Sequence, residues 1–287
     1  MMIYDYINMT NYRRPPRLAP GTGVAVVKKR AWALALVAAA ALAVPVLTSG
    51  PGFDRDTFRQ FVTLRAGTGA PVYWYAIGEV YSSPEGRRLL IIEGSDTARM
   101  IPSGEPDTAI QLSRKVFVYR DPATNQILKD YNGQPVTRIA YPYQFITYRL
   151  QGDRLTTFVE QGAGANLQKI GPGDNFLLRR LGPSLVFSSP LFLNMDTPRG
   201  RYEAYENYDF VFHPGEKDPA ARHQLIWNRF GDLPAFIGKG KAVIQMVGWR
   251  VDRFEDLPAS IREYIKTDAP LWMAPPKDLD EIRGLQK

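Results

Sequence analysis

From Pro71 onward, apolar and polar side chains alternate in short runs, and this alternation limits the possible folds more than any other feature of the chain. Alternation with period two is typical of β-strands, because successive side chains point to opposite faces of a sheet. The runs are rich in Val, Ile, Tyr and Phe, and turns such as Asn132-Gly133 separate them. They cover residues 72–81, 87–93, 110–119, 127–131, 136–150, 155–160, 176–187, 201–212, 224–230 and 242–251. About ten strands joined by short turns predict a mostly β fold with a large antiparallel sheet, either barrel-like or folded as a sandwich.

Helical spacing occurs at both ends of this region. Phe58, Phe61 and Leu64 follow acidic residues at intervals of three, which predicts a short amphipathic N-terminal helix. Near the C-terminus, an apolar stripe that begins at Ile261 predicts a second helix, with Pro258 at its first position. No internal repeat divides residues 51–287, so we expect them to form a single large β domain.

Residues 1–50 have a different character. The basic cluster Lys28-Lys29-Arg30 runs directly into the apolar, Ala-rich segment 31–47, an order typical of an export signal. Ala41-Leu42-Ala43 offers a small-x-small cleavage site. Two alternatives remain open, namely an uncleaved anchor in the inner membrane and a buried hydrophobic helix. We therefore expect the protein to be periplasmic or exported, with membrane contact only through this N-terminal segment.

The net charge of +7 is concentrated in the same segment. Residues 1–50 hold six Lys and Arg side chains and a single Asp, a net +5, so the remaining residues carry +2. This balance gives no indication of a nucleic-acid partner. The chain contains no cysteine, which excludes disulfides, thiolate metal sites and cysteine nucleophiles.

Common catalytic and cofactor motifs are missing from the sequence. There is no Gly-x-Ser-x-Gly elbow, no His-Glu-x-x-His and no phosphate-binding loop. The two histidines, His213 and His223, have no neighbouring carboxylate or second histidine of the kind that metal sites group together. We expect neither a metal nor a cofactor.

Arg114 is the first candidate site residue. It lies in the middle of an otherwise aliphatic strand face that runs from Ile110 to Val118. A guanidinium in such surroundings needs an anion, because an unpaired charge in a dry interior costs several kcal/mol. The anion could be an internal carboxylate, from Glu79, Glu93 or Asp209, or it could belong to a bound ligand.

Two further strands carry polar rows that could line a pocket. Glu79 shares a strand face with Tyr75, and a carboxylate framed by tyrosines could act as an acid or base if that face lines a cavity. Asp209 and Tyr205 share a face of a later strand. Either row could instead be an outer surface exposed to solvent.

Trp227 and Arg229 share a face with His223 on the strand 224–230 and form the strongest candidate pair. An indole surface beside a guanidinium suits a flat or anionic ligand. The alternative is a core tryptophan with an arginine that reaches past it to solvent.

Several short motifs, in their order and spacing, resemble one family. They are Pro71-Val72-Tyr73-Trp74-Tyr75 with Gly78 and Tyr81, Leu112-Ser113-Arg114, Tyr119-x-Asp121-Pro122, Trp227-x-Arg229, and Leu257-Pro258 before a segment that ends in Ala274-Pro275-Pro276. Together they resemble the bacterial and fungal family catalogued as domain of unknown function eighteen thirty-eight. The resemblance covers residues 57–276. It implies an exported domain and brings no established reaction with it.

These observations favour a lipocalin-like domain, in the broad sense, that binds or transforms a small, partly apolar organic molecule in an aromatic-lined pocket. If the protein is an enzyme, we expect a cofactor-free acid/base isomerase, cyclase or lyase, with Glu79 and Asp209 as catalytic groups. Arg114, Tyr75, Trp227, Arg229 and Tyr205 are the expected ligand-binding residues. The alternative is a non-enzymatic envelope module that docks another chain or forms a homodimer.

Overall fold

A computed structural model of the chain describes residues 52–162, 168–173, 176–197 and 200–286. All of them belong to one of the two compact units into which the chain divides, Leu47–Lys287. The strands are β1 (Val72–Ser83), β2 (Arg88–Ile101), β3 (Thr108–Arg120), β4 (Asp130–Tyr131), β5 (Gln134–Pro135), β6 (Ile139–Gln151), β7 (Arg154–Gln161), β8 (Gln168–Gly173), β9 (Leu177–Leu181), β10 (Ser184–Thr197), β11 (Gly200–Phe212), β12 (His223–Asp232) and β13 (Lys241–Val251). The helices are α1 (Arg55–Ala66), α2 (Pro219–Arg222), α3 (Ala259–Asp268) and α4 (Leu279–Gln286), with short 3-10 turns at Phe254–Asp256 and Pro270–Met273.

Eleven of these strands form one antiparallel sheet in the order β8-β7-β6-β3-β2-β1-β13-β12-β11-β10-β9. The sheet curls into a half-barrel, which confirms the predicted mostly β, barrel-like antiparallel architecture and excludes two stacked sheets. Glycines on the concave face permit the curl. A Cβ at Gly94 would lie 2.3 Å from the Val116 carbonyl oxygen, and one at Gly248 would lie 2.2 Å from that of Tyr75. Larger residues there would force neighbouring strands apart.

Helix α1 fills one end of the concave face. Its stripe of Phe58, Phe61 and Leu64 packs against Trp74 and Phe187 in an aromatic cluster that also includes side chains from β6, β7, β9 and β11. Strands from both ends of the sheet order therefore meet around the helix. A capping box between Asp54 and Thr57 begins α1. Each large apolar side chain buried here contributes about 1.5–3 kcal/mol, so α1 is an integral part of the core.

The opposite end of the concave face is filled by other segments. The β4–β5 hairpin and the loop that follows β12 supply Tyr131 and Phe236. They pack on a second apolar cluster, which includes Leu90, Ile92 and Met246. Both ends of the half-barrel are thus closed by apolar packing.

The convex face is covered by the C-terminal segment. Ile261 and Ile265 of α3 and Trp272 pack on Tyr75, Val116 and their neighbours. Polar contacts also hold this segment. Arg120, which pairs with Glu93 beneath α3, donates to the Ser260 carbonyl, and Arg114 pairs with Glu281 of α4. An apolar strand face in this fold can therefore lie outside the half-barrel and still be dry.

Most strand positions follow the predicted alternation, but several elements differ from the prediction. The predicted strand 176–187 is two strands, β9 and β10, because Gly182 adopts a positive φ of 59° and turns the chain. Of segment 127–131, only Asp130–Tyr131 is a strand, because the chain folds back there into the β4–β5 hairpin. Pro258 precedes α3 as its N-cap instead of occupying its first turn.

The expected export signal, its cleavage site and the anchor segment 31–47 lie outside the described residues. Within the described ranges, every helix is too short or too polar to cross a bilayer.

Candidate functional site

Between its two apolar ends, the concave face carries a band of charged and aromatic side chains, which we call the polar layer. On β11, Phe210 belongs to the α1 end, and Tyr208 and Glu206 follow it on the same face. On β12 the same order gives Leu225, then Trp227 and Arg229. The polar layer consists of Arg65, Asp96, Lys115, Tyr141, Tyr202, Glu206, Tyr208, Trp227 and Arg229.

Strand register aligns these residues in two walls. On one wall Asp96 of β2 lies directly opposite Lys115 of β3, which lies opposite Tyr141 of β6. On the other wall Tyr208 lies opposite Trp227, and Glu206 lies opposite Arg229. The curl brings the walls face to face, since the Lys115 Nζ is 5.5 Å from the centre of the Tyr208 ring.

Glu206 and Arg229 form the centre of the second wall. Their Oε1 and Nε atoms are 3.6 Å apart, and both side chains are nearly buried. Arg229 also donates to the Tyr202 hydroxyl at 2.9 Å and to the Asp232 carbonyl at 3.1 Å. Tyr208 donates its hydroxyl proton to Glu206 Oε2 at 2.9 Å. These bonds fix the rotamers on this wall without a ligand.

The tyrosines of the polar layer are held in their neutral form. Burial, and next the Glu206 carboxylate, raises the pKa of Tyr208 well above its usual value. The same two causes, in the same order, raise the pKa of Tyr141 to about 12. Burial likewise raises the pKa of Tyr202. At neutral pH these hydroxyls therefore remain uncharged and keep the proton that they can donate.

The first wall contributes to a buried ion pair whose carboxylate has an unused hydrogen-bond acceptor. Asp96 Oδ2 lies 3.4 Å from Arg65, whose guanidinium stacks 4.6 Å above the Phe210 ring. The other oxygen, Asp96 Oδ1, is buried and has no hydrogen-bond partner in the described part of the protein. The Trp227 indole Nε1 is also buried without a partner there. A buried polar atom left unpaired costs about 1–3 kcal/mol, so this acceptor and this donor favour a water molecule or ligand between the walls.

Other buried atoms without partners lie outside the polar layer. They are Ser95 Oγ, Thr97 Oγ1, Arg99 Nε and His223 Nδ1. The first three belong to the convex face of β2, whose alternate residues point away from Asp96. The polar layer thus differs in presenting a donor and an acceptor among aromatic rings.

Two surface depressions border α1 instead of the polar layer. The larger, of about 590 Å³, is lined by Arg55, Phe58 and Met100 among others. The smaller, of about 200 Å³, includes His223. Burial lowers the pKa of His223 to about 4, so this imidazole is neutral at physiological pH.

The structure places two of the predicted site residues together in the polar layer, Trp227 and Arg229. Glu79 lies on the convex face, where it pairs with Arg88 at 2.6 Å and accepts a hydrogen bond from Tyr81. Asp209 is also on the convex face and accepts from Ser188. Neither carboxylate can reach the polar layer, because each has the opposite strand parity from its inward-pointing neighbours.

The remaining three predicted residues also lie outside the polar layer. Tyr75 is buried under α3 and donates to Glu93 at 2.9 Å. Arg114 is 3% exposed beneath the C-terminal segment. It bonds the Pro142 carbonyl at 2.8 Å, the Ala274 carbonyl at 2.9 Å and the Glu281 carboxylate. Its anion is thus not one of the three strand carboxylates expected from the sequence. Tyr205 is exposed on the outside.

Seven residues of the polar layer were not among the site residues predicted from the sequence. Tyr208 is on the inward face of β11, and the next residue on that face, two positions earlier in the chain, is Glu206. A bulge between Ser113 and Lys115 shifts the β3–β6 register beside Lys115 and Tyr141, so alternation alone does not align these two residues. Asp96 was missed because the predicted strand ended at residue 93, whereas β2 continues to Ile101.

The described residues contain no group of three or more carboxylates or histidines that could hold a metal ion. What the polar layer offers is hydrogen bonding, a positive and a negative group on each wall, and aromatic surface. Comparison with protein-family models, with curated proteins and with solved structures gives no match for this chain.

Proposed function

We propose that this protein binds a small, partly apolar organic molecule in the polar layer of its half-barrel. The observation that carries the proposal is the pair of buried, unpartnered atoms Asp96 Oδ1 and Trp227 Nε1. A ligand with one donor and one acceptor would satisfy both atoms, while its apolar part lies against the rings of Tyr208 and Trp227, whose centres are 5.8 Å apart.

Prearranged side chains support binding. The bonds of Arg229 to Tyr202 and Glu206 order one wall before a ligand arrives, which reduces the entropy cost of association. Neutral tyrosines and paired carboxylates serve recognition better than proton transfer. If a cofactor-free acid/base reaction takes place here, Asp96 and Glu206 are the carboxylates in position for it, in place of Glu79 and Asp209.

Substitution of Trp227 tests this proposal. Trp227→Phe keeps an aromatic ring and removes the Nε1 donor, and Trp249→Phe is a matched control on the convex face, where Trp249 packs against Tyr75. Each purified variant would be titrated with a library of small aromatic and alicyclic compounds, with binding followed by ligand-observed NMR. We expect compounds that bind the wild type and Trp249→Phe to bind Trp227→Phe at least fivefold more weakly. Equal binding by all three proteins would contradict the placement of the site.

We further propose that the protein functions in the periplasm. The support is the Lys28-Lys29-Arg30 cluster ahead of the apolar segment 31–47. Fusion of residues 1–60 to a reporter enzyme that is active only after export should give activity. Replacement of the three basic residues by Glu should abolish that activity, and a reporter that stays inactive in both fusions would contradict export.

A second candidate function, pairing with another copy of the chain, is favoured by the outer surface. Phe192, Tyr205, Phe230 and Val243 lie directly opposite one another on β10 to β13 and are all exposed, Phe192 by 73%. Beside them, β10 pairs with β9 only over residues 184–188, so among the described strands the edge at 189–197 has no partner. A second β10 edge could extend the sheet and cover the aromatic row.

Sedimentation velocity over a range of concentrations tests this pairing. We expect a concentration-dependent dimer that Phe192→Asp disrupts, whereas Leu271→Asp, at an exposed apolar site in the C-terminal segment, leaves it intact. A monomer at every concentration up to about 100 μM would contradict this second function, because a physiologically relevant dimer has a dissociation constant well below that concentration.

A further inference from the structure

Lys115 is the cation of the polar layer for which the described structure provides no counter-ion. Arg65 is paired with Asp96 and Arg229 with Glu206. The Lys115 ammonium makes no ion pair or hydrogen bond to any described residue, and it lies over the face of the Tyr208 ring. The polar layer therefore holds three cations and two carboxylates, an excess of one positive charge.

The neighbouring polar atoms also have surplus donors. Trp227 Nε1 is a buried donor without a partner. The Tyr141 hydroxyl, on the strand beside Lys115, has no hydrogen bond to a described residue, and its neutral form can donate one. Three donors, on Lys115, Tyr141 and Trp227, thus lack acceptors, whereas Asp96 Oδ1 is the one acceptor of the layer left buried without a donor.

The backbone holds Lys115 in this position. At the bulge between β3 and β6, the carbonyls of Lys115 and Tyr141 both accept from Trp272 Nε1, at 2.9 and 3.1 Å. The C-terminal segment thereby fixes the two residues from the convex side while their side chains point into the half-barrel. The backbone that carries the unpaired Lys115 ammonium is therefore held in place by Trp272.

From this arrangement we infer that the ligand is an organic acid, a small carboxylate with a cyclic apolar body, and that Lys115 binds its carboxylate. This inference rests on the proposed function and specifies its ligand class. A carboxylate supplies the acceptors that the three donors lack and cancels the excess charge, and charge-assisted bonds are about twice as strong as neutral ones. A hydroxyl elsewhere on the ring would donate to Asp96 Oδ1.

Three probes of the same size separate charge from shape: 4-hydroxybenzoate, neutral 4-hydroxybenzamide and cationic tyramine. Affinities for the full chain would be measured by equilibrium dialysis at pH 7. The variants are Lys115→Met, which removes the charge, Lys115→Arg, which keeps it, and the control Lys241→Met, which removes a surface lysine paired with Asp232 at 2.7 Å. Thermal unfolding would confirm that each variant is folded.

We expect the benzoate to bind the wild type and Lys241→Met most tightly of the three probes. Lys115→Met should bind it at least tenfold more weakly, Lys115→Arg should recover most of that loss, and binding of the benzamide should not change. The organic-acid inference is wrong if the benzamide or tyramine binds as tightly as the benzoate, or if Lys115→Met keeps full benzoate affinity. In either case, binding that depends on Trp227 would still support the proposed function. If no probe binds and the protein also retains no ligand during purification, both the inference and the proposed function fail.

Discussion

Replacement of Arg120 by Met should destabilise the protein by about 3–5 kcal/mol, the usual cost of removing one partner of a buried ion pair. Glu93 is 1% exposed and accepts from Arg120 Nε at 2.6 Å. In the variant its carboxylate would keep only the hydroxyls of Tyr75 and Ser260. Two hydroxyl donors cannot compensate for the removal of a carboxylate from water, so the full penalty should appear.

The double variant Glu93→Gln/Arg120→Met should recover most of this loss. Glutamine can still accept from Tyr75, and no charge is left buried. The remaining cost, about 1–2 kcal/mol, reflects the bonds that Arg120 makes to the Asn125 and Ser260 carbonyls. Arg253→Met, which breaks an exposed pair with Asp256, is the control and should cost less than about 1 kcal/mol.

Urea unfolding followed by far-UV circular dichroism gives the free energy of unfolding of the wild type and of the three variants. The result bears on the site as well as on stability, because Glu93 and Asp96 have opposite strand parity. If Glu93 is buried beneath α3, then Asp96 must point into the half-barrel. A cost below 1 kcal/mol for Arg120→Met, equal to that of the exposed control, would refute this assignment of the strand faces.

Two further predictions concern the packing around α1. Phe61→Ala should lower the free energy of unfolding in urea by about 3–5 kcal/mol, because Phe61 is fully buried among four aromatic rings. Leu271→Ala, at an exposed site in the C-terminal segment, should change it by less than about 0.5 kcal/mol. Equal effects would contradict the burial of α1. Because burial lowers the folded pKa of His223 to about 4, its protonation favours the unfolded state, so stability should fall as the pH drops from about 6.5 towards 4, and His223→Gln should flatten that slope. An NMR titration in which His223 titrates near pH 6.5 would exclude this dependence.

Most of the fold could be predicted from the sequence, because alternation and turn residues are local signals. The stripe of Phe58, Phe61 and Leu64 was enough to predict α1, and the alternation from β1 to β13 was enough to predict a curled antiparallel sheet. Edges were harder to identify. The edge strand β8 contains Gly171 and Pro172, residues that normally indicate a turn, so no strand was predicted there.

The candidate site was only partly predictable, because alternation does not show which face of the sheet encloses the interior. Alternation tells which residues share a face, but in this fold both faces are covered, the concave one by α1 and the convex one by α3 and α4. The dry face that carries Arg114 therefore looked the same as an interior. Trp227 and Arg229 were placed correctly on one face, whereas their partner Glu206 became recognisable only once β11 and β12 were paired.

Native mass spectrometry of the full chain, purified without denaturant, tests most directly whether the polar layer holds a ligand. We expect a fraction of the wild-type protein to carry an additional mass of up to a few hundred daltons, the size of a small organic ligand. Trp227→Phe should lose this adduct, and Trp249→Phe should retain it. An adduct that persists equally in both variants, or a wild-type protein without an adduct that also binds no member of the compound library, would contradict a ligand site between Asp96 and Trp227.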